Sequence, residues 1–173
     1  MFYFFFSSRG RHTRSIAGTG VQTCALPILS SYDADATVRL VNPINLGATY
    51  RQVDVADGSA AVDAELTGVL SGVGASIGKL GQGTLRLTAA NTFTGGTTLA
   101  QGTLLLAGSN LGDISVGTVD ATAVSDAVTL QFGAGSSVAK LTVGNKNAQG
   151  ISTLKVTGNS SVTNGVDLQR DIF

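Results

Sequence analysis

The chain has 173 residues, with eleven Lys and Arg against eleven Asp and Glu, so its formal net charge is zero. It contains one His, one Cys and no Trp, but 23 Gly. This balance offers no basic patch for nucleic acid, and one His and one Cys exclude a zinc site built from several such ligands. Many Gly with few aromatic and charged residues are typical of repetitive β structure with outward ladders of small polar side chains.

Residues 1–28 differ in composition from the rest of the chain. They hold His12, Cys24, three of the eleven basic residues and four of the seven Phe. The apolar run Phe2–Phe6 is too short to span a membrane, and it precedes the arginines, whereas the apolar region of a signal peptide follows its basic residues. Thr19–Ile28, TGVQTCALPI, resembles the in-frame translation of a common short-read sequencing adapter. We therefore expect residues 1–28 to be a non-native, disordered segment, and the native N-terminus with any export signal to be missing.

The remaining residues 29–173 have eight basic and eleven acidic side chains, and neither His nor Cys. They therefore lack the residues for a Ser-His-Asp triad, a cysteine nucleophile or a His/Cys zinc site. No window keeps the i, i+3, i+4, i+7 apolar stripe of an amphipathic helix. We predict an all-β chain.

Before residue 79, short stretches alternate apolar and polar side chains, as strands buried on one face do. Turn pairs such as Asn42-Pro43 and Asp57-Gly58 separate them. Asp33 and Asp35 lack further oxygen donors at calcium-loop spacing and indicate a solvated turn. The glycine-rich segment 68–78 is predicted as one short strand and a turn with a weakly specified register. The predicted strands are Thr37–Val41, Tyr50–Val55 and Val62–Leu66.

An internal repeat within residues 79–112 is the clearest feature of the chain. Shifting the sequence by nineteen positions gives seven identities in twelve, and a period near twenty predicts a repeat architecture. Each copy carries Gly-Thr-Leu-x-Leu, which reads as a strand buried on one face. A unit this short buries its apolar stripe only by stacking on the next copy, so each copy is predicted to be one rung of a β-solenoid. The shift places Leu80, Gln82, Gly83, Thr84, Leu85, Leu87 and Asn91 on Leu99, Gln101, Gly102, Thr103, Leu104, Leu106 and Asn110.

The segment NTFTGGTT connects the two copies. Asn91 and the pair Gly95-Gly96 are predicted to form its tight turns, because Asn and Gly adopt positive φ at low cost. Inward-facing side chains of both copies are expected to stack in one core, formed by Leu85, Leu87, Phe93, Leu104 and Leu106.

The pattern GxGTLxLTxANTFTGGTTLxxGTLxL at these residues resembles the autotransporter-associated β-strand repeat, also called the passenger-associated transport repeat, of bacterial secreted and surface proteins. The resemblance implies a right-handed parallel β-helix that is a fragment of a longer exported passenger. It also implies an extracellular or bacterial cell-surface location. Because the motif describes rungs rather than an active site, it implies neither catalytic residues nor a cofactor.

Alternation continues after the repeat with drifting spacing, which predicts further rungs of one solenoid over residues 29–173. No composition shift marks a second domain. We expect uncapped ends that favour self-association through exposed strand edges. The predicted strands are Ile114–Val119, Val128–Phe132, Ala139–Val143, Ser152–Thr157 and Val162–Leu168.

One carboxylate pair is a candidate for chemistry. Asp63 and Glu65, at i and i+2 on a strand, would lie about 6–7 Å apart, near the separation of the carboxyl groups in inverting glycosidases. Any strand with a solvated face gives the same pattern, and we expect both residues on such a face without a catalytic role. The outward Arg86, Lys140 and Lys155 suggest a weak anion or carbohydrate surface, or charges that keep the sheet soluble. No metal site is expected.

The predicted function is a non-catalytic rod or display scaffold in an exported passenger or an adhesin-like surface protein. The alternatives are a β-helical polysaccharide lyase or hydrolase, and a carbohydrate-binding surface module. The second alternative is disfavoured because residues 29–173 contain no Trp and only two Tyr, Tyr32 and Tyr50. Surface glycans or other cell-surface components are the expected partners, whereas nucleic acid and a membrane span are not expected.

Overall fold

The structure, a computed structural model, describes residues 28–29, 35–109, 112–116, 128–145, 152–156 and 159–170. These residues form short β-strands, turns and bends, and none of them lies in a helix. The strands are β1 (Ile28–Leu29), β2 (Val38–Leu40), β3 (Ile44–Asn45), β4 (Tyr50–Val55), β5 (Ala64–Leu66), β6 (Leu70–Ser71), β7 (Ser76–Leu80), β8 (Thr84–Leu87), β9 (Thr97–Leu99), β10 (Gly102–Leu106), β11 (Ile114–Val116), β12 (Val128–Phe132), β13 (Ser137–Val138), β14 (Leu141–Asn145), β15 (Ser152–Val156), β16 (Ser161–Val162) and β17 (Val166–Arg170).

The described strands pair in parallel and belong to two large and two small sheets. The seven-stranded sheet has the order β1-β4-β7-β9-β11-β14-β17, and the six-stranded sheet has the order β2-β5-β8-β10-β12-β15. Two-stranded sheets are formed by β3 with β6 and by β13 with β16. The chain passes from one large sheet to the other before it returns to pair with its own previous turn, so the strands stack as a β-solenoid. The predicted fold class is confirmed.

The two copies of the internal repeat contribute neighbouring strands to the six-stranded sheet. Strand β8 pairs with β10 so that Leu85 lies beside Leu104 and Leu87 beside Leu106, which is the same shift of nineteen positions that aligns the two copies. The predicted stacking of Leu on Leu is therefore confirmed in this sheet. Parallel strands keep every backbone N–H and C=O of the strand interior in a ladder, so the repeat is held by backbone bonds as well as by its side chains.

Rung length is not constant along the solenoid. In the seven-stranded sheet Tyr50 pairs with Ser76, twenty-six positions later, whereas Thr97 pairs with Ile114, only seventeen positions later. The period near twenty thus holds for the repeat and for the pairing of Ala64 with Leu85, twenty-one positions later, but not for the longer rungs such as that between Tyr50 and Ser76. Corners run outside the ladders and accept extra residues at low cost, because the entropy of closing a loop grows slowly with its length.

The core lies between the inward faces of the two large sheets. The predicted core residues of the repeat are fully buried, with at most 1% of their surface exposed. Burying one such Leu or Phe side chain stabilises the fold by about 1.5–3 kcal/mol. Other buried apolar side chains extend this core through the neighbouring rungs; they include Val53, Val55, Leu66, Leu70, Ile77, Leu99, Ile114, Val116, Leu130, Phe132 and Leu141.

The glycine-rich segment 68–78 contains more structure than its sequence predicts. It contributes β6 and most of β7, and β7 is an interior strand of the seven-stranded sheet. Ile77 is buried, but Val73 lies in a turn and is 83% exposed. Val73 is exposed because it lies between Gly72 and Gly74, whose positive φ values form the turn.

Residues 1–28, which we expected to be non-native, contribute one described residue to the fold. Ile28 pairs with Asp54 in the ladder between β1 and β4, so it extends the seven-stranded sheet. Residues 1–27 lie outside the described residues. Among the residues that are described, there is no helix of the length and apolar character needed to cross a membrane.

Candidate functional site: two carboxylates and a buried lysine

Glu65 is held between two arginines on the outward face of the six-stranded sheet. The parallel register places Arg39 on β2 and Arg86 on β8 on either side of Glu65 on β5. Arg39 Nε lies 2.6 Å from Glu65 Oε2, and Arg86 Nε lies 3.6 Å from Glu65 Oε1. Both carboxylate oxygens are therefore engaged with guanidinium groups of the neighbouring rungs.

Asp63 has a different environment, in which backbone amides replace charged side chains. Its Oδ1 accepts a hydrogen bond from the Gly58 N–H at 2.7 Å, and its Oδ2 accepts one from the Thr84 N–H at 2.8 Å. The first bond fixes the corner that precedes β5, and the second ties that corner to the start of β8 in the next rung. Asp63 thus closes a turn and joins two rungs.

The expectation that Asp63 and Glu65 lie on an open, solvated face is wrong. Asp63 is 1% exposed and Glu65 is 5% exposed. The cause is that the arginine side chains cover Glu65, while the corner before β5 folds back over Asp63. General acid–base catalysis requires a carboxyl group that reaches the substrate with a free oxygen or proton. Here both oxygens of Asp63 accept hydrogen bonds from backbone amides, and Glu65 is held by an ion pair with an arginine on either side, which favours a structural role.

The outward basic residues do not form the single surface that the sequence suggests. Arg86 and Lys155 share one outward column of the six-stranded sheet, through the pairings of β8, β10, β12 and β15. Lys140 instead precedes β14 of the other sheet, and its Nζ lies 3.9 Å from Asp167 Oδ2. Within the described part of the chain, no group of three or more His, Cys, Asp and Glu residues is placed to hold a metal ion.

The predicted turn residues between the two copies bridge rungs. Asn91 is 2% exposed, its Oδ1 accepts a hydrogen bond from the Leu70 N–H at 2.9 Å, and its own N–H donates to the Ser109 carbonyl at 2.9 Å. Asn91 therefore connects the rung before it with the rung after it. Gly96 has φ of 93°, whereas Gly95 is needed for close approach, because a Cβ there would lie 2.5 Å from the Ala75 carbonyl oxygen.

Lys79 is a buried charged residue that the sequence interpretation missed. It occupies an inward position of β7, where the register sets it between Val53 on β4 and Leu99 on β9. Its side chain is fully buried. The Nζ group donates hydrogen bonds to the carbonyl oxygens of Leu80 at 3.0 Å, Gly81 at 2.6 Å and Gln101 at 3.1 Å. An ammonium group has three N–H donors, and each has a carbonyl partner here.

Burial lowers the pKa of Lys79 from its ordinary value of 10.5 to about 8, because the core solvates the charged form poorly. The carboxylates of Asp54, Asp63 and Asp57 oppose this shift by attracting the ammonium group. The alternation of β7 contains the missing signal, since Lys79 is two residues after the inward Ile77. The alignment of the two copies obscured it by placing Leu80 on Leu99.

Comparison with known families assigns the repeat. The model of the Passenger-associated-transport-repeat (PATR) matches residues 78–106, which run from β7 to the end of β10. No curated protein and no solved structure gives a significant match to the chain. The resemblance inferred from the sequence is therefore confirmed for residues 78–106, which form a passenger-associated transport repeat within a parallel β-solenoid. This combination fits an autotransporter passenger.

Proposed function

We propose that the chain is a structural, non-catalytic segment of an exported autotransporter passenger or an adhesin-like surface protein. In this proposal the stacked rungs form a rod that displays loops or other domains at the cell surface. The observation that carries the proposal is that the family repeat is itself a rung, paired on both sides with strands of the same two sheets.

The packing of the rungs supports a rod rather than an enzyme. Apart from Lys79, the inward columns around the repeat are filled mainly by apolar side chains with almost no exposed surface. Asp63 and Glu65 are the two acidic residues with the spacing of a glycosidase pair. Asp63 accepts hydrogen bonds from backbone amides, and Glu65 forms ion pairs with the flanking arginines. Their partners make them part of the scaffold, and hydrolysis would require one of them to be released.

An extracellular or cell-surface location belongs to the same proposal and is supported by the family of the repeat. Surface glycans or other cell-surface components are the proposed partners. The rod itself is proposed to contribute spacing, while recognition is left to loops or domains that it carries. Self-association through exposed strand edges is a further proposed property of a solenoid of this kind.

The display role can be tested by replacing the passenger solenoid of a laboratory autotransporter with the full chain, behind an N-terminal epitope tag. We expect antibody to reach the tag on intact cells, and the stem to resist added protease. The matched control is the Leu85→Asp, Leu104→Asp double variant, which places two charges in the core of the repeat. An unexposed tag, or a stem that is digested as fast as the control, would contradict the display role.

The catalytic alternative requires a separate assay. The purified chain is incubated with plant and microbial polysaccharides, with and without calcium, beside an Asp63→Ala, Glu65→Ala double variant. We expect no turnover by either protein. Turnover by the parent that is lost in the double variant would establish the acidic pair as an active site, and binding without turnover would support the carbohydrate-binding alternative.

A further inference from the structure

The two large sheets have different registers where the repeat begins. In the seven-stranded sheet Lys79 pairs with Leu99, an offset of twenty positions. In the six-stranded sheet Thr84 pairs with Thr103, an offset of nineteen. The corner from β7 to β8 therefore has four residues between these paired positions, and the stacked corner from β9 to β10 has three. One extra residue must be accommodated in the first corner.

The ladder bonds show where the extra residue lies. The Ala100 N–H donates to the Lys79 carbonyl at 3.0 Å, and the Thr103 N–H donates to the Gly83 carbonyl at 3.3 Å. Between these two ladder bonds, the carbonyl oxygens of Leu80 and Gly81 accept hydrogen bonds from the Lys79 ammonium group. The longer corner thus directs two of its carbonyl groups to the Lys79 side chain.

Gly81 allows this path of the backbone. Its φ is 74°, and a Cβ at this position would clash with the Val55 carbonyl oxygen of the preceding rung. Its N–H donates to Gln101 Oε1 at 3.1 Å, while the Gln101 carbonyl accepts the third hydrogen bond of Lys79. Gln101 belongs to the shorter corner, so the two corners are tied together through Lys79 and Gly81.

We propose that Lys79 is a clamp for the longer corner: its ammonium group binds the carbonyls of Leu80 and Gly81, ties them to Gln101 of the next rung, and so holds the two sheets in their different registers. Lys79 lies where the rung length of the seven-stranded sheet changes. The offset is twenty-six positions from Val53 to Lys79 and twenty positions from Lys79 to Leu99. Lys79 is therefore the positioning residue at which the long rungs join the repeat.

The chemistry explains why a lysine is used at an aliphatic position. A leucine there would continue the column of Val53 and Leu99, but it would leave carbonyl oxygens of a half-buried corner without the donor that now binds them. A buried charge is costly, and the best-attested use of buried polar groups in other proteins is the specification of a register rather than added stability. The lowered pKa of Lys79 agrees with this cost. The carboxylates of Asp54, Asp57 and Asp63 offset part of it.

The test is a double-mutant cycle that combines Lys79→Leu with deletion of Gly81 in the full chain. The combined variant reproduces the shorter corner, in which a Leu is followed by three residues before the Thr of the next strand. Urea midpoints are measured at pH 7 for the parent, both single variants and the combination. We expect the deletion to lower the midpoint or prevent folding when Lys79 is present, and to raise the midpoint in the Lys79→Leu background.

Two controls make the cycle specific. Deletion of Gly74, which lies in an exposed turn with no atom within 4 Å of a Cβ position, is expected to have the same effect with and without Lys79→Leu. Lys155→Leu, which removes an exposed lysine, is expected not to change the effect of deleting Gly81. Equal effects of the Gly81 deletion in both backgrounds would overturn the clamp, as would failure of the combined variant to fold.

A pH profile reports the burial of the Lys79 ammonium group, and a variant with a neutral donor separates the clamp from a passive packing role. The parent midpoint is expected to rise between pH 8 and 10.5, and this rise is expected to disappear in Lys79→Leu and in the combined variant. A conservative Lys79→Gln variant, which keeps a neutral donor, should lose the pH dependence but remain sensitive to the Gly81 deletion. Equal effects of the Gly81 deletion in Lys79→Gln and in Lys79→Leu would also contradict the proposal.

Discussion

Lys79 and Leu99 occupy equivalent inward positions in successive rungs of the seven-stranded sheet. One is a charged side chain bonded to three carbonyls, and the other is an aliphatic side chain with no exposed surface. Paired positions of adjacent rungs therefore accommodate side chains of opposite chemistry, and Lys79 lies next to the longer of the two corners.

The pH dependence of stability should report on Lys79. Because its pKa is about 8 in the folded chain and 10.5 in its ordinary range, the unfolded chain binds more protons between these pH values. Stability therefore rises with pH across this window, and the gain is fully lost once pH falls below about 8. The full effect is on the order of 3 kcal/mol, from about 1.4 kcal/mol per pKa unit. Urea unfolding of the parent and of Lys79→Leu from pH 7 to 10.5 measures it, and parallel curves would contradict it.

A charge in the core of the repeat should be poorly tolerated. Leu104 is fully buried beside Leu85, so Leu104→Asp places a carboxylate among apolar side chains and should destabilise the fold by several kcal/mol. The matched control is Leu105→Asp, because Leu105 is the next residue and lies in the outward column beside Arg86. Thermal unfolding should separate the two variants widely. Equal melting temperatures would show that the core assignment is wrong.

The Arg39–Glu65–Arg86 arrangement should contribute measurably to stability. Glu65 is nearly buried, but the arginine side chains are 55% and 42% exposed, so solvent weakens the interaction. We expect Glu65→Ala to cost about 1–2 kcal/mol, partly because the buried Arg86 Nε has no hydrogen-bond partner and would also lose its ion-pair partner Glu65. Lys140→Ala breaks an exposed pair and should change stability by less than about 0.5 kcal/mol. Chemical denaturation of both variants tests the contrast, and a Lys140→Ala effect as large as that of Glu65→Ala would contradict it.

Asn91 should be a stabilising residue of the corner rather than a replaceable turn residue. Asn91→Ala leaves the buried N–H of Leu70 without its acceptor and should cost about 1–3 kcal/mol. Asn164→Ala removes an exposed side chain and is the control, with an expected change within about 0.5 kcal/mol. Hydrogen exchange at Leu70 gives a local measurement. Unchanged protection of that amide in Asn91→Ala would rule out the assigned bond.

Sequence patterns predicted the strands well where alternation was strong. Tyr50–Val55 and Val128–Phe132 form strands with the predicted bounds, and the shift that aligns the two copies is the register of β8 with β10. Alternation succeeds because the two faces of a strand have opposite environments and a one-residue slip would exchange them.

The candidate site was harder to predict, for two physical reasons. Alternation placed Asp63 and Glu65 on the outward face, but it carries no information on which corners and side chains cover that face. Alignment of the two copies assumed corners of equal length, so it paired Leu80 with Leu99 and missed the inward Lys79. Both errors concern contacts between rungs, which a local pattern does not encode.

Because the rungs have unequal lengths, the solenoid should lengthen in unequal steps when it is unfolded by force. Its hydrogen-bond ladders run along the stacking axis, so tension applied along that axis should detach rungs one at a time from an end. A released rung adds about 3.4 Å of chain for each residue, less the spacing of about 4.8 Å that it occupied in the stack. The nineteen-residue rung between Leu85 and Leu104 should lengthen the chain by about 60 Å, and the twenty-six-residue rung between Leu104 and Leu130 by about 85 Å. A force-extension trace would then read the order of long and short rungs directly as a sequence of step lengths.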